Sequence, residues 1–256
     1  MLFSKFNFNM PLGMGGIPTK TPLQAATLPA GWWDASDATT LYQDAGTTLV
    51  TADGQACQQM NDKSGNSRHF SGAGTARPLY KTARVNGKST LLFDGTNDVM
   101  TAAAISNFIA NNAYTFIGVC KPAALDQNSA TIYNNDVFYC DASGYIGYFM
   151  KSAPTGHIYN WDGNQDSTTN TIPAAGTAWL VVARHSGGNI ISAINQGAEN
   201  SAASGNTSTL TGALQIGGRV AFTNLDWCEL AVWNVVLSAA DIAAVANLMK
   251  QKWGTA

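Results

Sequence analysis

Apolar and polar positions alternate with a period of two along much of this chain. Near its end, Leu230 and Val232 alternate with Glu229, Ala231 and Trp233, the pattern of a strand with two different faces. Similar runs predict strands at Leu91 to Asp94, Tyr114 to Cys120, Ala130 to Tyr133, Val137 to Cys140, Tyr145 to Met150 and His157 to Trp161. Trp179 to His185 is the strongest of them; Gly187-Gly188 then turns the chain and Ile190 to Ile194 pairs back as a hairpin. Lys121-Pro122 closes the Tyr114 strand, because proline removes a ladder donor.

The period changes only near the C-terminus. Ser238 stands three residues before Asp241, a capping-box-like start with Asp in place of Glu. Ile242, Val245, Met249 and Trp253 then share one helical face, and Gly254 stops the helix. Ile105 to Ala110 predicts one further helical turn. Many short strands with one late helix predict an all-β, two-sheet antiparallel sandwich spanning residues 31–256. Residues 1–30 read differently: Phe3, Phe6, Phe8 and Met10 stand among prolines and glycines that hold neither helix nor long strand. They predict an extended N-terminal arm, which anchors the domain to a partner or sister subunit or folds over its own sandwich.

Composition narrows the function. Charged residues are 12% of the chain and the net charge is −2, which excludes the basic stripe of a nucleic-acid interface. No apolar run reaches the roughly 18 residues of a membrane-spanning helix, so no membrane insertion is expected. The start carries no continuous apolar run of a secretory signal. Cys57, Cys120, Cys140 and Cys228 are far apart without a CxxC pair, which speaks for buried thiols over zinc ligation.

Four phrases carry a resemblance. They are Trp33-Asp34-Ala35-Ser36-Asp37; Asp62-Lys63-Ser64-Gly65 ending in His69; Phe93-Asp94-Gly95-Thr96-Asn97-Asp98; and Leu214 to Gly218 followed by Glu229 to Asn234 and Leu237-Ser238-x-x-Asp241-Ile242. In this order they resemble the concanavalin A-like lectin/glucanase superfamily, in particular laminin-G-like domains of phage and bacterial proteins. The resemblance spans roughly Gly31 to Gly254 and implies a concanavalin A-like jelly roll. It also implies that a Ca²⁺ ion at the sandwich rim is to be considered.

The chemistry-bearing residues are few. Glycoside hydrolysis needs two facing carboxylates. The chain has only Glu199 and Glu229, neither of them in the E-x-D-x-x-E strand motif of the superfamily's retaining enzymes. Glu199 lies in a polar loop, and Glu229 matches a structural acidic position, so no catalytic residue is assigned. His69, His157 and His185 accompany no G-x-S-x-G elbow; His69 is expected to bond a loop backbone. Asp94 with Asp98, or Asp136 with Asp141, could supply oxygens to Ca²⁺, although turn closure is the preferred role, and no other cofactor is expected. Tyr133, Asn135, Asp136, Tyr159, Asn160, Trp161 and Asp162 combine aromatic, amide and carboxylate groups that suit carbohydrate, with buried aromatics and turn residues as the plainer alternative. Trp33, Trp179, Trp227, Trp233 and Trp253 are assigned to packing.

Together with the resemblance, these features lead to the expectation of a non-catalytic virion protein of a tailed phage. It would be a tail or head fibre or decoration subunit, homo-oligomeric, docked to other virion proteins by its arm and binding host cell-surface carbohydrate. The alternatives are a polysaccharide depolymerase on the same fold and a virion subunit without ligand.

Overall fold

The computed structural model describes residues 23, 27–102, 113–123, 136–140, 146–151, 157–160, 173–203, 213–218 and 222–256, the three segments between 136 and 160 by their backbone. In chain order the strands are β1 (Gly31–Asp34), β2 (Leu41–Tyr42), β3 (Gln59–Met60), β4 (Phe70–Ser71), β5 (Leu79–Val85), β6 (Lys88–Asp94), β7 (Met100–Ala102) and β8 (Tyr114–Pro122). They continue with β9 (Asp136–Cys140), β10 (Ile146–Lys151), β11 (His157–Asn160), β12 (Trp179–Ser186), β13 (Asn189–Ile194), β14 (Asn200–Ala203), β15 (Leu214–Ile216) and β16 (Asn224–Trp233). The helix α1 (Ala239–Trp253) follows.

Among the described residues these form two antiparallel sheets. The first has the order β14-β13-β12-β8-β16-β6-β5, and β1 lies along β16 beyond the end of β6. The second has the order β11-β10-β9-β15-β7-β4-β3-β2. Both contribute to one buried cluster, Phe70, Met100 and Ile216 from the second sheet meeting Trp33, Phe116 and Trp227 from the first. The rings of Trp33 and Phe70 lie 4.6 Å apart across this core.

The first sheet buries its other face as well. A second apolar cluster joins Ile117, Val119, Leu180, Val182, Ala231 and Trp233 to Ile242, Val245, Met249 and Trp253 of α1. The helix begins as its sequence indicates. Ser238 Oγ accepts the Asp241 N–H at 3.1 Å and donates to the Asp241 carboxylate at 2.7 Å, and Gly254 closes the helix at φ 67°. Trp33, Trp179, Trp227, Trp233 and Trp253 are all buried, as their packing assignment requires.

β1 was not legible as a strand, whereas β6 falls on the strand expected at Leu91 to Asp94 and β15 on the Leu214 to Gly218 phrase. β1 begins the Trp-Asp-Ala-Ser-Asp phrase; Gly31 has to be glycine there, because a Cβ would sit 2.3 Å from the Trp33 ring. The hairpin β5–β6 turns at Asn86-Gly87, both at positive φ. Gly217, at φ 95°, ends β15 where a Cβ would meet the Phe93 ring at 2.2 Å. Phe3, Phe6, Phe8 and Met10 lie outside the described residues, as does the predicted turn at 105–110. Leu23 is buried in the cluster under α1, and the Thr27 carbonyl accepts the Trp233 indole N–H at 2.8 Å. Cys57, Cys120 and Cys228 are free, buried thiols, and burial pushes Cys57 and Cys120 up to about 12. No helix among the described residues is long and apolar enough to cross a membrane.

Candidate functional site

The second sheet presents a polar outer face. Leu41, Met60, Phe70, Met100, Ala102, Leu214 and Ile216 all point into the shared core. Side chains alternate across a strand, so their neighbours point outward. The register aligns those neighbours into one row: Tyr42 opposite Gln59, Gln59 opposite Ser71, Ser71 opposite Thr101 and Thr101 opposite Gln215. By backbone register the row continues from Gln215 to Tyr139 on β9 and Gly147 on β10. Ser71 is exposed and the other four side chains are half-buried. Gln59 Nε2 donates to Asn61 Oδ1 at 2.7 Å, so one amide holds its neighbour's orientation. The row offers amides, hydroxyls and a phenol side by side, the groups that pair with sugar hydroxyls. Each strand contributes only two or three residues, too short a run for alternation to reveal the row in the sequence.

The sequence-predicted sugar residues fall at the other end of this sheet. Asp136 starts β9, and Tyr159 and Asn160 end β11. Across β10, Phe149 is in register with both Asp136 and Tyr159, which places those two in one cross-strand row. Tyr133, Asn135, Trp161 and Asp162 lie outside the described residues.

A second constellation sits on the opposite side, between β1, β16 and α1. Asp34 and Glu229 are directly opposed across the β1–β16 pairing. Glu229 faces α1 because β16 bulges between Trp227 and Glu229, so that Cys228 and Glu229 both leave the inner core. Lys252 Nζ bridges the two acids, 2.7 Å from Asp34 Oδ1 and 2.8 Å from Glu229 Oε2. The indoles of Trp32 and Trp253 donate to Glu229 at 2.8 and 2.7 Å. Lys63 reaches Asp34 at 3.0 Å and Asp37 at 2.7 Å. Beside the cluster lies a cavity of about 220 Å³ walled by Leu23, Trp32, Leu248 and Met249.

The two acids titrate apart. Burial works to raise Asp34, but the charges of Lys252 and Lys63, with hydrogen bonds from Lys252 and Ser36, hold it below the usual carboxylate range. Burial and the neighbouring Asp34 charge push Glu229 up, against Lys252 and Trp253. A split pair of carboxylates is what acid–base catalysis requires. Here, however, every carboxylate oxygen has a donor, and Asp34 and Glu229 are only 4% and 3% exposed. A glycosidic oxygen would have to displace Lys252 to reach them. The cluster is a clasp fastening α1 to β1 and β16, in keeping with the structural reading of Glu229.

The acidic residues of two resemblance phrases close loops. Asp62 accepts the backbone N–H groups of Trp32, Ser64 and Arg68 at 3.0, 2.8 and 3.1 Å. His69 Nδ1 accepts the Asp62 N–H at 3.0 Å, the loop-backbone role expected of it. Asp98 Oδ2 accepts the Asp94 N–H at 2.9 Å, and Asp94 Oδ1 accepts those of Thr96 and Asn97 at 2.7 and 3.2 Å. These two calcium candidates thus close the Gly95 turn. Among the described residues, no group of three His, Cys, Asp or Glu side chains could hold a metal ion.

No protein-family model matches the sequence, and no curated protein matches it either. The fold, by contrast, recurs in solved structures. Domain 4 of AbnA, a GH43 extracellular arabinanase from Geobacillus stearothermophilus, in complex with arabinotriose, matches 85% of this chain and 98% of its own, with TM-score 0.58 and 13% identity. An arabinofuranosidase complexed with arabinofuranosyl-alpha-1,2-xylobiose matches 86% of this chain and 58% of its own, with TM-score 0.57 and 13% identity. A Trypanosoma rangeli sialidase matches 88% of this chain and 33% of its own, with TM-score 0.52 and 12% identity. The chain thus spans a whole arabinanase domain, but little more than half of the arabinofuranosidase and a third of the sialidase. At such identities the likeness is one of fold, a β fold found in carbohydrate-handling proteins.

The finding corrects the functional expectation. The three structures named are glycoside hydrolases or a domain of one, and none of them is a phage fibre. The assignment to a non-catalytic virion adhesin, and with it the reading of the chain as no enzyme, is overturned by these likenesses. The reason is physical. A weakly charged, Gly/Asn/Thr-rich sandwich surface suits virion and polysaccharide-handling proteins equally, so composition does not separate them.

Proposed function

We propose that this chain works in polysaccharide breakdown, as a concanavalin A-like jelly roll that engages glycan on the outer face of its second sheet. The observation that carries the reading is the match over 98% of an arabinanase domain that was crystallised with arabinotriose. The polar row Tyr42, Gln59, Ser71, Thr101 and Gln215 is the surface on which a flat sugar chain would lie. The Asp34–Glu229 clasp is left intact in this reading and keeps the first sheet closed.

The test pairs two measurements on the purified chain. Affinity electrophoresis in arabinan, xylan and sialylated glycan reads binding, and reducing-end release reads cleavage. Retardation in arabinan that falls in a Gln59→Ala/Gln215→Ala double variant is expected, together with release of reducing ends from the same polymer. A chain that is neither retarded by, nor active on, any of these polymers overturns the proposal.

A further inference from the structure

We propose that the pocket between β5, the end of β8 and the C-terminus of α1 binds the carboxylate of an acidic sugar residue. The choice of a sugar acid rests on the polysaccharide reading above; the anion-binding geometry stands without it. The pocket holds about 260 Å³ and is walled by Arg84, Asn86, Lys121, Gly176, Trp253 and Gly254. That is room for one small residue rather than for a chain.

Arg84 is there because β5 is irregular. Its pairing with β6 shifts between Lys81 and Val85, and Ala83 adopts φ 54°, a conformation that a residue with a Cβ seldom takes. A bulge of this kind re-aims a side chain. Arg84 reaches across to Asp226, which is only 2% exposed, with Nε at 3.0 Å and Nη2 at 3.2 Å from its two oxygens. Thr90 Oγ1 donates to the same carboxylate at 2.7 Å. Asp226 is satisfied by these contacts alone.

Lys121 is therefore surplus. Its Nζ stays 4.0 Å from Asp226 Oδ2 and donates to the Arg84 carbonyl at 3.3 Å. Asp53, whose charge also acts on Arg84, is paired by Lys81, so Arg84 and Lys121 share the buried Asp226 and one positive charge is left over beside the pocket. A surplus of one charge matches a monoanion, and the planar guanidinium beside an ammonium suits a carboxylate. The negative end of α1 lies close by, but Asn86 Nδ2 donates to the Lys252 carbonyl at 3.0 Å and blunts it.

Isothermal titration with oligogalacturonate and with its neutral methyl ester tests the site. The acid should bind the wild-type chain, and more weakly as salt rises. Lys121→Gln should weaken it roughly tenfold, the loss of one charge-assisted hydrogen bond. The Arg84–Asp226 pair is untouched in this variant, so its thermal midpoint should match the wild type. Equal binding of acid and ester, or undiminished binding by Lys121→Gln, overturns the proposal. If inorganic phosphate or sulfate displaces the oligosaccharide at equal concentration, the sugar assignment is overturned and the pocket takes small ions. Neutral arabino-oligosaccharide, read in parallel, separates this outcome from the second-sheet proposal: Lys121→Gln should leave its binding unchanged.

Discussion

The two outer faces of this sandwich are built from similar strands and end up with opposite properties. The outer face of the first sheet is covered by α1, so β8 and β16 are buried on both sides; all of β16 but its first residue is buried. Among the described residues no helix covers the outer face of the second sheet, and its strands alternate: Met100 and Ala102 are buried around half-buried Thr101, and Leu214 and Ile216 around half-buried Gln215. A second apolar layer turns one sheet into structure; among the described residues the other carries no such layer. The face under α1 carries the stability, and the polar row lies on the other sheet, where the proposed glycan contact would be made.

The largest effect that would test this contrast is expected at the joint between helix and sheet. Trp253→Ala removes a fully buried indole from the layer under α1 and one donor from Glu229, and should cost about 3–5 kcal/mol in urea unfolding. Glu229→Ala should come close, at about 3 kcal/mol, because Lys252 and two indole N–H groups lose their shared acceptor. If either variant unfolds like the wild type, α1 is a passenger and the contrast between the faces fails.

A smaller effect follows from pH. Asp34 and Asp37 sit below the usual carboxylate value of 3.8, so their contribution is complete above 3.8 and is lost as pH falls through their lowered values. Glu229 sits above its usual 4.5, so the folded chain holds that proton more tightly than the unfolded one. Its contribution is complete below 4.5 and is lost as pH climbs through the raised value. Urea midpoints should therefore peak in mildly acidic buffer, and Glu229→Gln should flatten the decline on the alkaline side. An unchanged profile in that variant would place the titrating group elsewhere.

The smallest stability effect belongs to the polar row. Thr101→Ala and Gln215→Ala should each change unfolding by no more than about 0.5 kcal/mol, as surface substitutions do. Loss of glycan retardation without loss of stability would sharpen the contrast; a large destabilisation would mean that the row is structural.

Much of the architecture was readable in advance. Trp179 to His185, Tyr114 to Cys120 and the capped α1 announced themselves through period, turn residues and Ser238. The bulge in β16 was not among them: Trp227 and Leu230 both face the inner core at a spacing that regular alternation forbids, which only the fold shows. β1 was missed because four residues, two of them tryptophan, show no period. The β2–β3–β4–β7–β15 row was missed because each strand is two or three residues long and gains its meaning only from its neighbours. The sugar residues were sought at Tyr133 to Asp162, where aromatic residues cluster along the chain.

By itself the sequence determined the fold class, the helix and its caps, the buried tryptophans and the turn-closing aspartates, because each depends on residues close together in the chain. Only the tertiary structure decided that Asp34, Glu229 and Lys252 form one clasp, that Arg84 and Lys121 share Asp226, and which sheet α1 covers. Those outcomes join residues far apart in sequence, 142 positions in the case of Arg84 and Asp226. Register and packing, not local preference, set such distances.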